Sequence, residues 1–249
     1  MDINKYLKRI DYEGKHEKTL ETLASLQTSH LFSVPFENLD IHRNIKIDLD
    51  KSFEKIVINN RGGFCYELNG LFYQLLKELG FNVKIVSARV NQGEKGFGAE
   101  FDHMAIVANI DNEQYLVDVG FGDFAYIPLR IILDKEIPDP RSVFRIEKFD
   151  DVYNIVKQKS EDSSFIPKYL FSETERVIDD FKNMCVFHQT SSESHFTQNK
   201  ICSLPVKDGR ITLSGNNLII TKNNNVETKE LKSEAEVNIV LKKYFNIIL

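Results

Sequence analysis

The hydrophobic period of this 249-residue chain changes at Gly80. From Cys65 the apolar residues fall at Leu68, Leu71, Phe72, Leu75, Leu76 and Leu79, the three-and-four spacing of one buried helical face. Gly80 is a natural C-terminal stop. Earlier, Lys18 to Ser33 has the same helical character and ends before Pro35. Asp50 is placed to cap a short helix through Phe53, Ile56 and Val57. Past Gly80 the pattern becomes alternating or continuously β-branched. Phe81 to Val90, Phe101 to Ala108 and Tyr115 to Val119 read as strands, with Gly93 to Gly98 as a flexible loop. Strand-like runs continue at Ser142–Ile146, Val152–Val156, Ile211–Leu213 and Asn217–Thr221. A turn is expected at Asn223–Asn225 and a final helix from Ser233 to Asn246. Helices first and strands second indicate an α+β fold. No internal repeat or low-complexity linker separates the parts, so they are expected to be packed layers.

The chemistry concentrates where a glycine turn becomes a helix, at Arg61-Gly62-Gly63-Phe64-Cys65. Cys65 falls in the first helical turn, where free backbone N–H groups and the helix dipole favour negative charge, so its thiol is expected to ionise near neutral pH. A base and an orienting group come from the two strands that follow. Asp111-Asn112 suits a two-residue hairpin turn. That turn pairs Asp118 with Ala105, one diagonal step from His103 on the same face, about 7–8 Å between backbones. The carboxylate can then hold one imidazole nitrogen and leave the other to take a proton from Cys65. A cysteine on a helix start followed by a histidine and an aspartate on adjacent strands is the logic of papain-like thiol enzymes. Taken singly, each residue has a plainer reading: an inert small residue, a strand-end histidine, a capping carboxylate. Their joint placement carries the inference. Cys185 and Cys202 lack such surroundings and read as packing residues.

Composition sets the outer bounds. A net charge of −5 argues against a nucleic-acid partner, which calls for a basic excess. Three widely spaced cysteines suit a reducing compartment better than a disulfide framework, so a cytoplasmic location is expected. The N-terminus lacks the apolar core of a signal peptide, and no apolar run approaches the ~18 residues of a membrane span. No tight cluster of histidine, cysteine and carboxylate suggests a metal site.

The Arg61–Cys65 segment, with Glu67 and Asn69 following, resembles the active-site signature of the arylamine N-acetyltransferases. Asp118-Val119-Gly120-Phe121-Gly122 is similar to that family's aspartate segment, and Pro35-Phe36-Glu37-Asn38-Leu39-Asp40 to its N-terminal hallmark. Gln189 to Phe196 resembles the stretch where family members contact coenzyme A, with Ser192 where a proline is common. The resemblance implies a papain-like cysteine-enzyme core: a helical bundle over residues 1–80, a β-barrel over 81–186 and a C-terminal α/β lid over 187–249. It implies acetyl transfer from acetyl-CoA, as co-substrate, through an acetyl-cysteine to an arylamine or arylhydrazine, with no tightly bound cofactor. Cys65, His103 and Asp118 are then the catalytic triad, and Glu37 is the structural partner of Arg61. Gly120, Gly122 and Ser194 are candidates for the coenzyme path; Phe36, Phe64 and Phe121 are candidate walls for a flat aromatic acceptor. The same three catalytic residues also serve an amide synthase releasing a polyketide chain, or a papain- or transglutaminase-like enzyme acting on peptides. A catalytically idle amine-binding protein would need no thiolate.

Overall fold

A computed structural model describes every residue of the chain except residue 224, so of the expected Asn223–Asn225 turn the central residue lies outside the described residues. Two helices, α1 (Ile3–Arg9) and α2 (Leu20–Ser33), open the chain, capped by the side chains of Asp2 and Thr19. A two-residue strand β1 (Phe36–Glu37) follows, then short helical turns at Leu49–Lys51 and Glu54–Ile58. The cap there is Asp48, which accepts from the Asp50 N–H; the expected cap at Asp50 lies inside the turn instead. Helix α3 (Cys65–Glu78) ends at Gly80, whose φ of +83° is the left-handed conformation a glycine stop supplies.

Eight antiparallel strands come next: β2 (Asn82–Val90), β3 (His103–Ile110), β4 (Glu113–Val117), β5 (Leu129–Arg130), β6 (Glu136–Pro138), β7 (Val143–Lys148), β8 (Tyr153–Lys159) and β9 (Phe165–Arg176). They form one sheet in the order β5-β4-β3-β2-β9-β8-β7-β6, curled into a nearly closed barrel. After α4 (Lys182–Thr190) and α5 (His195–Gln198), strands β10 (Ile201–Val206), β11 (Gly209–Ser214), β12 (Asn217–Lys222) and β13 (Asn225–Glu230) make a second sheet, and α6 (Glu234–Phe245) closes the chain. Strand β1 pairs with β10, Phe36 opposite Ser203, so the N-terminal segment is stitched into this last sheet.

Strand β3 is buried on both faces, which explains its apolar run from Met104 to Ala108. Ile106, Ala108 and Ile110 pack with Leu68, Phe72 and Leu75 of α3, while Ala105 and Val107 join the barrel interior with Phe144, Tyr169 and Phe171. Helix α3 is thereby fixed against β2 and β3. The hairpin register is the expected one: Ile106 lies opposite Val117 and Ile110 opposite Glu113. Asp111 and Asn112 form the two-residue turn, both with positive φ (51° and 64°). The strands begin and end slightly differently from the sequence pattern. Phe101 adopts φ +67°, so β3 starts at His103, and Asp118 sits just past the end of β4.

Candidate active site

The loop leading into α3 is held by backbone pairing and by buried charge. Gly63 lies beside Phe36 in a parallel bridge, donating to the Pro35 carbonyl while its own carbonyl accepts from the Glu37 N–H. A Cβ on Gly62 would stand 2.3 Å from the Pro35 carbonyl oxygen, so only glycine allows this approach. Arg61 donates twice to Glu37 Oε1 (3.1 and 2.7 Å) and once to Asp40 Oδ1 (2.9 Å), which makes Glu37 the partner expected of it. Lys55 completes the network at 2.8 Å from Asp40 and 2.9 Å from Glu67. Glu67 also accepts the Phe64 N–H at 2.8 Å, anchoring the first turn of α3. Burial tends to raise the Asp40 carboxyl, but Lys55 and Arg61 hold it below the usual range.

On that anchored turn, Cys65 and Asn69 lie one helical turn apart on the same face. Asn69 Nδ2 donates to the Met104 carbonyl (2.7 Å) and to Asp118 Oδ1 (2.8 Å), and its Oδ1 accepts the Val119 N–H (2.9 Å). Gly120 fits tightly behind it. A Cβ there would meet Asn69 Nδ2 at 2.6 Å and the Cys65 carbonyl oxygen at 2.9 Å. The aspartate segment and the cysteine turn are therefore in van der Waals contact, and this close packing is what requires glycine at 120.

Asp118 is completely buried and accepts five hydrogen bonds. Oδ1 receives Asn69 Nδ2 and the Gly120 and Phe121 N–H groups (2.9 and 3.0 Å); Oδ2 receives His103 Nε2 at 2.7 Å and the Tyr169 hydroxyl at 3.1 Å. Burial tends to raise this carboxyl, but His103 and the other donors outweigh it and hold its pKa below the usual range. An ionised Asp118 requires a proton on His103 Nε2, which leaves Nδ1 as the basic nitrogen. The imidazole is walled by Phe121 and Tyr169, their ring centroids 5.4 and 5.5 Å from its own.

Cys65 departs from expectation in one respect. Burial pushes its thiol well up, the neighbouring Cys185, Asp102 and Asp118 add to that, and the Tyr66 N–H only partly opposes it. Desolvation outweighs the helix start, so the helix start alone does not ionise this thiol.

The remaining sequence candidates separate. Phe121 lies half-buried against His103, and Phe36 is half-buried beside Phe64 and Phe196. Phe64 is fully buried, edge-on to Phe196 with centroids 4.6 Å apart. Gly122 has open space where a Cβ would be. Ser194 is 3% exposed, and its hydroxyl caps α5 through the Phe196 N–H and meets His188 Nδ1 at 3.2 Å. Two site residues carried no assigned role in the sequence. Asn69 announces itself as a polar residue on an otherwise apolar helical face. Tyr169 reaches Asp118 from β9 across 51 positions and leaves no local signal. Among the described residues no three His, Cys, Asp or Glu side chains are grouped to hold a metal ion.

A family model described as N-acetyltransferase matches residues 19–249. The chain belongs to the arylamine N-acetyltransferase family. It is 34% identical to arylamine N-acetyltransferase 1 of Homo sapiens over 275 residues, covering 100% of this chain and 95% of that protein. It is 34% identical to a pineal gland isozyme of Gallus gallus, again over 100% of this chain and 95% of the relative. Among solved structures, the arylamine N-acetyltransferase of M. tuberculosis superposes with a TM-score of 0.92 at 30% identity, over 99% of this chain and 94% of that one. The Bacillus cereus enzyme, described as having a unique Cys-His-Glu catalytic triad, superposes at 0.90 with 27% identity over the full length of both chains. The Mycobacterium marinum enzyme, solved in complex with CoA, superposes at 0.91 with 29% identity over 99% of this chain and 93% of its own. Where the Bacillus cereus enzyme is described with a glutamate, the histidine of this N-acetyltransferase is held by an aspartate, Asp118.

Proposed function

We propose that the chain moves an acetyl group from acetyl-CoA to an arylamine or arylhydrazine in two half-reactions, with Cys65 as nucleophile, His103 as base and Asp118 as its orienting carboxylate. The observation that carries this reading is the five-donor setting of Asp118, which fixes the His103 tautomer while Asn69 and Gly120 pin the assembly to the Cys65 turn. The Cys65 proton passes to His103 Nδ1, and the imidazolium is stabilised by Asp118. The thiolate attacks the thioester carbonyl, whose developing oxyanion is taken by the Cys65 N–H at the free end of α3. Collapse forms acetyl-Cys65 and expels the CoA thiolate, which recovers the proton from imidazolium. An amine then attacks the acetyl-cysteine, His103 takes the amine proton, and Cys65 leaves as a thiolate re-protonated from His103.

An aromatic amine suits the second step because its nitrogen is unprotonated at neutral pH. Phe121, packed on His103, supplies an apolar wall for it, and Phe36, in a separate aromatic group with Phe64 and Phe196, is a second candidate. We assign Gly122, with space above it, to the coenzyme path, whereas Gly120 serves the contact with Cys65. Any part Ser194 plays in holding coenzyme runs through the segment it caps, because its hydroxyl is already engaged. We divide the chain at about residues 80 and 186, with the last part acting as lid. Three free, buried cysteines accord with work in the cytoplasm.

Initial-rate kinetics with both substrates varied test the two-step order. Parallel double-reciprocal lines are expected. Intersecting lines, which need donor and amine bound together, overturn the acetyl-cysteine route.

A further inference from the structure

We propose that Arg141, Lys168 and Arg210 form an anion subsite where the barrel meets the second sheet, and that it takes a phosphate group of the acyl-CoA donor. The proposal rests on the reading of acetyl-CoA as donor and adds where its charged end is held. The three cations come from separate elements: the loop before β7, β9 and β11. They converge on Asp123, directly after the open Gly122. Arg141 bonds Asp123 Oδ1, Lys168 stands 3.3 Å from Oδ2, and Arg210 donates to Ser203 Oγ at 3.0 Å.

The charges do not balance. A further carboxylate, Asp139, borders the group, but its oxygens are taken by the N–H groups of Tyr126, Ile127 and Arg141 (2.8, 3.0 and 2.8 Å). The Nε atoms of both Arg141 and Arg210 are buried without a hydrogen-bond partner. Burial and then the repulsion of Arg141 pull the Arg210 pKa down, and Asp123 and the Tyr126 hydroxyl only partly oppose them. The Arg61–Lys55 network of the same protein is the contrast. There three carboxylates match Arg61, Lys55 and, 3.8 Å from Asp40, Arg43, and the Arg61 Nε has its partner. Two guanidinium groups and an ammonium with unused donors instead match the several oxygens of a phosphate.

The position also fits. Asp118 and Asp123 are five residues apart, so the subsite lies at most about 18 Å along the chain from the triad carboxylate. The connecting segment carries Phe121, which packs on His103. A coenzyme whose thioester reaches Cys65 past Phe121 and Gly122 would bring its nucleotide end toward these three cations.

The test compares kcat/KM for acetyl-CoA, acetyl-3′-dephospho-CoA and S-acetylpantetheine, with Tm measured alongside. The wild type is expected to prefer acetyl-CoA to S-acetylpantetheine, and Arg210→Gln to reduce that preference tenfold or more through KM. Arg141→Gln is expected to act in the same direction. A preference lost equally against the dephospho donor assigns the 3′-phosphate, and one lost only against pantetheine assigns the pyrophosphate. Unchanged preference in both folded variants marks a structural bridge only and overturns the proposal. A wild type that uses all three donors equally overturns it without any variant. A wild type acetylated by none of them rejects the donor reading itself, and the subsite with it.

Discussion

Replacing Asp118 with asparagine leaves the volume of the site unchanged and alters only which atoms can accept protons. The carboxylate receives five donors, three of them on Oδ1. An amide has one accepting oxygen, and the Asn69, Gly120 and Phe121 N–H groups hold it at the Oδ1 position. Its NH2 group then faces His103 Nε2 and the Tyr169 hydroxyl. His103 must accept at Nε2, its proton moves to Nδ1, and the nitrogen proposed to serve Cys65 is no longer basic. The corresponding wrong-tautomer change in a serine protease triad lowers turnover about 10⁴-fold. A loss of that size is about 5 kcal/mol in the barrier. The fold loses far less, because Tyr169 can rotate to accept from the new NH2, and a cost of about 1–2 kcal/mol is expected. The assay is the single-turnover rate of Cys65 acetylation by acetyl-CoA, paired with a thermal melt. An Asp118→Asn rate within tenfold of wild type, at a normal Tm, would refute the tautomer argument. Asp118→Glu keeps the accepting oxygens and adds a methylene to a completely buried site, costing about 1–3 kcal/mol of packing. It should outperform the asparagine variant, in keeping with the Cys-His-Glu description of the Bacillus cereus enzyme.

Arg61→Gln leaves Glu37, which is fully buried, without its guanidinium partner and should cost about 3–5 kcal/mol of stability. For a chain of this size that lowers Tm by roughly 6–20 °C, and differential scanning calorimetry should show it. A normal Tm with impaired turnover would instead make Arg61 a substrate-binding residue. His30 is completely buried, its Nδ1 hydrogen-bonded to the Tyr6 hydroxyl at 2.9 Å; burial lowers its pKa to about 3. Because the folded pKa lies below the unfolded one, its neutral form favours folding above about pH 6.5. That contribution, about 4–5 kcal/mol, is lost as pH falls from there toward 3. Urea melts of wild type and His30→Phe from pH 7 to 4 should differ in slope, the variant losing less stability on acidification; identical slopes would contradict this.

The site was legible where its geometry is local. The Asp111-Asn112 turn sets the hairpin register, and the register brings Asp118 beside His103, so two residues of the site follow from one turn. Cys65 follows from glycines that end where a helical period begins. What local sequence withholds is contact across distance. Tyr169 reaches Asp118 only because β9 pairs with β2 and places its ring in the barrel. The burial of Cys65 is hidden from local sequence for the same reason. A helix start favours thiolate, but the second layer that buries the thiol comes from α4 and β3, far along the chain. The cap falls at Asp48 and not at Asp50 because the chain tightens into a turn two residues earlier than the apolar pattern shows.

Intact-protein mass spectrometry after mixing with acetyl-CoA alone, then with an arylamine, tests the central claim most directly. A single acetyl adduct is expected, absent in Cys65→Ala and discharged when the amine is added. A folded protein with a reactive thiol that gains no adduct, or gains one that the amine leaves in place, would contradict transfer through Cys65.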